Sequence, residues 1–190
     1  MPRTVATFVA VAALSACTVL PEAAPRVIEH DLGAPFAVGA ARSPVALRAL
    51  NVTAQPMIAG VTMFYRDARE PTRRGAFAFN RWSAPPAAMV DAALNRLLAV
   101  DGGGRCRLQV TLGEFIIDVD AAGKGQAMLS ANLRLAGDPA ANAQTIIDIA
   151  VPMTRVDAAT GAAAMRQAVN QLGADSAAWL ASDAARSCRG

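Results

Sequence analysis

Histidine is nearly absent from this sequence, which has a single histidine at position 30. His30 lies close to the N-terminal segment rather than in a predicted cleft. The sequence therefore argues against a Ser-His-Asp or Cys-His catalytic group and against a metal site built from several histidines. We predict no catalytic residue, no metal ligand and no cofactor, and we expect the protein not to be an enzyme.

Lysine is equally scarce, with Lys124 as its only example, and the formal net charge is only +3. Such a small charge argues against a nucleic-acid partner. The basic residues are nearly all arginine. We attribute that bias to the base composition of a GC-rich genome rather than to phosphate binding.

Long apolar runs are missing after the N-terminus, although 54% of the residues are hydrophobic. Much of that fraction is alanine, and no run approaches the roughly 20 apolar residues that a spanning helix needs. The length suits one domain with a sizeable core, which we place at residues 27–190.

The N-terminus has the pattern of a bacterial lipoprotein signal. Arg3 precedes an apolar stretch from Val5 to Leu14, and Leu14-Ser15-Ala16-Cys17 matches a lipobox. We predict a signal peptide over residues 1–16, lipidation with acyl chains such as palmitate at Cys17, and a flexible tether over residues 17–26. The tether could span up to roughly 30 Å if extended. The alternative is an ordinary secretory signal with an incidental cysteine.

The residues after Cys17 indicate which membrane carries the anchor. Thr18 and Val19 lack the aspartate that retains lipoproteins at the inner membrane of diderm bacteria. We therefore expect a lipid-anchored protein on the periplasmic face of the outer membrane.

Residues 61–98 predict a β-hairpin that leads into an amphipathic helix. Two β-prone runs, around Phe64 and around Phe77 and Phe79, flank a polar loop. Ser83 or Ala84 is the expected helix cap, followed by Pro85 and Pro86 in the first turn. The apolar stripe of this helix comprises Met89, Val90, Ala93, Leu94, Leu97 and Leu98.

The remaining periodicities predict strands and one long helix. Residues 45–52 read as a central strand, and residues 105–120, 126–135 and 144–151 as a three-stranded meander with a bulge at Gly113. A helix over 158–185 carries a stripe of Met165, Val169, Leu172, Ser176 and Trp179. The predicted fold is an α/β two-layer sandwich with a mixed or antiparallel sheet, a C-terminal three-strand meander and two packed helices.

Two groups of charged residues could carry function. Glu114, Asp118 and Asp120 share one phase of a strand, so they could form an acidic edge for acid–base chemistry or Ca²⁺, or simply a solvated face. Arg69, Arg73 and Arg74 in the hairpin could contact lipid headgroups or an acidic partner, or be a solvated tip. Gly102, Gly103 and Gly104 invite comparison with a phosphate loop, but no Lys-Ser/Thr follows and the next element is a strand.

Cys106 and Cys188 are the two thiols that remain once Cys17 is acylated. In an oxidising periplasm two such thiols are expected to form a disulfide. The alternative is one buried reduced cysteine and one free cysteine in a frayed tail.

The motif Tyr65-Arg66, a polar hairpin, and Arg81-Trp82-x-x-Pro85-Pro86 resembles the ABC-type transport auxiliary lipoproteins of the PqiC type, over about residues 14–182. The resemblance implies a non-enzymatic docking or scaffold component of an envelope lipid-transport system, with a structural role for Arg81 and Trp82. It implies as partners an MCE-domain protein and an ABC permease and ATPase, and it implies a homo-oligomer. Two alternatives remain: a pilotin-like assembly lipoprotein, and a lipid-anchored periplasmic hydrolase.

Overall fold

A seven-stranded mixed sheet with α-helices packed on one face forms the fold, as the sequence predicted. The computed structural model describes residues 25–137 and 142–189. The strands are β1 (Ile28–His30), β2 (Leu47–Ala54), β3 (Thr62–Asp67), β4 (Arg74–Trp82), β5 (Cys106–Val119), β6 (Gly125–Ala136) and β7 (Asn142–Pro152). The helices are α1 (Pro86–Leu97) and α2 (Ala158–Ala181), with 3-10 turns at Pro56–Ile58 and Asp183–Cys188.

The long strand β5 is the centre of the sheet. On one side β5, β6 and β7 form the predicted antiparallel meander. On the other side β2 and β3 pair with successive halves of β5, both in parallel. The hairpin partner β4 and the short β1 extend the sheet beyond β3.

The strand predicted over residues 45–52 was wrongly expected to lie at the centre of the sheet. It runs over Leu47–Ala54, and within the described residues it pairs with β5 alone. Its other edge is covered by α1: the Asp91 carboxylate accepts a hydrogen bond from the backbone N–H of Val52 at 3.0 Å. A side chain on a helix therefore occupies the position that a neighbouring strand would have filled.

The predicted bulge in β5 is confirmed. The register with β6 shifts between Leu112 and Glu114, so Gly113 is the extra residue. Before the bulge the even-numbered residues of β5 face the helices, and after it Phe115 and Ile117 do. The bulge consequently moves Glu114 and Asp118 to the side of the sheet away from the helices.

The N-cap of helix α1 lies one residue after Ala84, the later of its two predicted caps. Pro85 occupies the N-cap position without a side-chain hydrogen bond, so the expectation that Ser83 or Ala84 caps the helix was wrong. Pro86 at the first helical position lacks only an N–H that would have no helical partner there. Val90, Leu94 and Leu97 are buried, which confirms the predicted stripe.

Helix α2 packs closely on both the sheet and α1 through glycines. A Cβ at Gly161 would lie 2.1 Å from Cδ1 of Ile117, and one at Gly173 would lie 2.8 Å from Cδ1 of Leu97. The helix ends at Ala181 rather than at residue 185, because Ser182 is extended and starts the 3-10 turn that ends at Cys188.

Within residues 25–137 and 142–189, no helix is both long and apolar enough to cross a membrane. The predicted signal peptide, Cys17 and most of the tether lie outside the described residues.

Candidate docking face and charged sites

One face of the sheet is not covered by the helices, and we call it the open face. Ile116 points to this face and is only 1% exposed, although it lies outside the main hydrophobic core. It pairs with Met128 on β6, which pairs with Ala150 on β7. The open face therefore contains an apolar row across three strands.

Two arginines and two carboxylates lie beside this row and bind one another. Arg66 donates two hydrogen bonds to Asp118, from Nε at 3.0 Å and from Nη2 at 2.9 Å. Arg74 donates from Nη2 to Glu114 at 2.7 Å, and Arg66 also approaches Glu114 at 3.6 Å. The hydrogen bonds to Asp118 raise the pKa of Arg66, outweighing the opposite effect of burial. We call these four residues the open-face cluster.

Only two of the three carboxylates considered for acid–base work come together. Glu114 and Asp118 are both bound by guanidinium groups. Asp120 lies in the turn after β5, where its carboxylate accepts hydrogen bonds from the backbone N–H groups of Ala122 and Lys124. Its contacts are those of a turn residue.

Each of the hairpin arginines considered for partner contact has a carboxylate beside it. Arg69 pairs with Asp67 at 2.5 Å and Arg73 pairs with Glu70 at 3.0 Å, while Arg74 belongs to the open-face cluster. The side-chain hydrogen bond from Arg69 lowers the pKa of Asp67 to about 2. The hairpin tip is therefore close to neutral, which makes it a weaker anionic-ligand site than its arginine content suggests.

The motif residues have structural positions. Trp82 is 2% exposed and packs edge-to-face on Phe115, with ring centroids 5.1 Å apart. Arg81 lies at the surface and pairs with Glu29 on β1. Tyr65 packs on Phe77 across the hairpin at 5.3 Å. Pro85 and Pro86 begin α1, as described above.

Cys106 and Cys188 lie next to each other, with their sulfur atoms at bonding distance and their Cα atoms 5.8 Å apart. Both residues are buried. The pairing joins the start of β5 to the 3-10 turn after α2. Oxidation of the pair in the cell remains a prediction.

Strand β7 forms one border of the sheet. Within the described part of the chain it pairs with β6 alone, in an unbroken register. Asp148 is its only charged residue, and Ile146 on the open face is 64% exposed. Edge strands usually carry lysine, proline or a bulge that prevents further pairing, and β7 has no bulge and no proline before Pro152.

Sequence reasoning missed three further arginines. Arg48, Arg105 and Arg107 line an open hollow with a volume of about 610 Å³ at the end of the sheet where β2 and β5 begin. The signal available in the sequence was the alternation of Arg105 and Arg107 around an inward-facing cysteine, directly after the glycine run.

The fold is similar to that of solved structures. Protein XCC0632 from Xanthomonas campestris, which carries the family description DUF330, has a TM-score of 0.64 and 19% sequence identity, over 77% of this chain and 92% of that chain. A structure described only as an uncharacterized protein has a TM-score of 0.61 and 14% identity, over 82% of this chain and 99% of the other. At such identities the likeness establishes the fold. No family model and no curated protein matches this chain.

These comparisons overturn the assignment to the PqiC-type auxiliary lipoproteins. The similar structure with a family description carries DUF330, and no family model supports the other assignment. The motif that suggested it is explained by local packing, because Trp82 fills the core and two prolines begin a helix. A short motif whose residues have local packing roles therefore does not identify the family.

Proposed function

We propose that this protein is a lipid-anchored docking module on the periplasmic face of the outer membrane, and that it acts without catalysis in an envelope lipid-transport machine. The lipobox at Cys17 supports the anchor. The open face of the sheet supports docking, and it is the observation on which the proposal chiefly rests.

The open face has the composition of a protein-binding surface. Above the buried Ile116, it combines the half-buried Met128 and the exposed Ile146 with the open-face cluster, whose residues are held by mutual hydrogen bonds. Pre-organised charged groups around an apolar centre give specificity at low ordering cost. The other face of the sheet is filled by α1 and α2, so a partner that binds the sheet surface must use the open face.

The machine that we propose is an ABC-type lipid-transport system with an MCE-domain protein. Site-specific photo-crosslinking from Asn132, which is exposed on the open face, tests the proposal in cells. The matched control carries the crosslinker at Gln167, which is exposed on α2. We expect the MCE-domain protein or the permease to be recovered from Asn132 and not from Gln167.

Other results would change the assignment. Recovery of a secretin from Asn132 would indicate a pilotin-like role instead. Equal recovery from both positions, or none from Asn132, would reject the open face as the docking site. A lipid or peptidoglycan hydrolase activity of the full chain that is lost on Glu114→Gln with Asp118→Asn would place the protein among enzymes.

A further inference from the structure

Arg48, Arg105 and Arg107 come from two chain segments and meet at the hollow where β2 and β5 begin. The other lining residues are Gly102, Gly104, Ala136 and Gly137. All three arginines are exposed. We call this the arginine hollow.

Arg48 reaches the hollow because of a bulge. Leu47 pairs with Cys106 and Ala49 pairs with Arg107, so Arg48 is the extra residue on β2. A bulge re-aims the side chain that it carries, and bulges are frequent beside binding sites. Here the bulge brings Arg48 to the same hollow as two arginines of the neighbouring strand.

The glycine run fixes the wall of the hollow. A Cβ at Gly104 would lie 1.7 Å from the carbonyl oxygen of Ala46, so only glycine allows this loop to pack against the chain before β2. Gly102 has φ +80°, a conformation that favours glycine. Asp101 closes the loop by accepting a hydrogen bond from the Gly103 N–H at 2.9 Å.

In the part of the chain that the structure describes, the arginines of the hollow lack the carboxylate partners that the arginines of β3, β4 and the hairpin between them have. Arg66, Arg69, Arg73, Arg74 and Arg81 each have a carboxylate partner. Within residues 25–137 and 142–189, none of the three hollow arginines takes part in an ion pair or a side-chain hydrogen bond. Like charges that share a site repel one another, and a bound anion relieves that repulsion.

We propose that the arginine hollow binds a phosphate group, either of an anionic lipid headgroup or of a free phosphate compound. Guanidinium groups match phosphate oxygens with paired N–H donors, and several around one site give charge-assisted hydrogen bonds. Among the lining residues that the structure describes, Ala136 is the only one with an apolar side chain apart from the arginine stems. The hollow thus suits a polar headgroup rather than an acyl chain or the apolar centre of a protein interface. This inference rests on side-chain pairing and does not depend on the proposed function.

Isothermal titration calorimetry of the full chain in neutral detergent tests the proposal. The probes are inorganic phosphate, glycerol 3-phosphate and mixed micelles that contain phosphatidylglycerol. In the variant Arg48→Gln with Arg105→Gln and Arg107→Gln, we expect phosphate affinity to fall by at least about tenfold, because the charge-assisted donors are lost. Tighter binding of the lipid micelles than of the soluble probes would identify a headgroup site, and the reverse order a site for free phosphate.

A variant with the same loss of charge provides the control. Arg26→Gln with Arg69→Gln and Arg73→Gln also removes three exposed arginines, all outside the hollow. Its affinity should stay within about twofold of the parent, since it keeps the hollow intact. An equal loss in both variants would show general electrostatic attraction, and no loss in the hollow variant, or no binding by the parent, would equally overturn the proposal. Circular dichroism must show that both variants are folded.

Discussion

Cys188 and Cys106 lie 82 residues apart in the sequence and are adjacent in the fold. A cross-link over such a distance restricts the unfolded chain, by about 4 to 5 kcal/mol in the chain-entropy model. We expect Cys188→Ser to lower the free energy of unfolding by roughly 2 to 5 kcal/mol, with the segment after α2 released first. Denaturant unfolding with and without reductant measures the change.

The oxidation state itself can be read by mass spectrometry. Protein taken from the periplasm and alkylated without reduction should carry no label on Cys106 or Cys188. Labelling of both cysteines would contradict the prediction. The reduced parent and the Cys188→Ser variant should unfold at similar denaturant concentrations, which separates the loss of the cross-link from the loss of packing.

Asp157 is the N-cap of α2, and its carboxylate accepts a hydrogen bond from the Thr160 N–H at 2.7 Å. That bond lowers the pKa of Asp157 in the folded protein. Its stabilising effect is thus present above the unfolded pKa of about 4 and is lost as the pH falls through the folded pKa. We expect Asp157→Ala to lower the Tm by a few degrees at pH 7 and by progressively less in acid, as thermal unfolding across that pH range would show. A deficit that does not change with pH would mean that the carboxylate does not cap the helix in its ionised form.

At the scale of elements, periodicity predicted the structure well where a strand or helix has one buried face. The stripes of α1 and α2 and the alternation in β6 were read correctly because their apolar residues repeat at the helix or strand period. The position of β2 was predicted wrongly because α1, through Asp91, covers its outer edge. The strand is therefore enclosed on both sides, as a central strand is, although β5 is its pairing partner. The end of α2 was predicted too late, since alanine-rich sequence favours helix and conceals the break at Ser182.

Strand β7 is an element whose outer edge is available for pairing. If a second copy pairs antiparallel with β7 and Ile146 lies opposite its own equivalent, Asp148 faces the partner's Gln144 and no like charges meet. We expect the protein to self-associate by this edge. Ile146→Lys should shift sedimentation equilibrium of the detergent-solubilised full chain toward the monomer, because a charged edge residue opposes strand pairing.

The matched control for this prediction is Ile28→Lys. Ile28 is also a large exposed apolar residue, 54% exposed, but it lies on β1 at the other border of the sheet. Its variant should keep the parental assembly state. Dissociation by both variants, or a monomeric parent at all accessible concentrations, would refute pairing through β7.

At the scale of the whole molecule, the lipid anchor is the first feature to test. We expect Cys17→Ser to leave a folded domain that is not processed as a lipoprotein and is lost from the outer membrane. Membrane fractionation with globomycin-treated cells as the reference measures both effects. Normal cleavage of the variant together with outer-membrane fractionation would show that Cys17 is not the anchor.

Which charged side chains meet depends on the order of the strands in the sheet, and sequence patterns do not reveal that order. Arg74 and Glu114 are 40 residues apart in the sequence. They meet because only β3 separates β4 from β5 in the sheet. Arg48 reaches the arginine hollow because of a bulge in β2. The residue types at that position do not predict the bulge, since arginine has no special preference for such positions. The sequence identified arginine-rich segments correctly, but which arginines have carboxylate partners follows from strand order.

Strand β5 extends from the arginine hollow at Cys106 to the open-face cluster at Asp118. At about 3.3 Å per residue its full length is roughly 45 Å. An anion at one end and a protein contacting the other could therefore be accommodated simultaneously, without competing for space. Titration of the phosphate probe should accordingly give the same affinity whether or not a partner has been crosslinked at Gln126, which is exposed and pairs with Asp118.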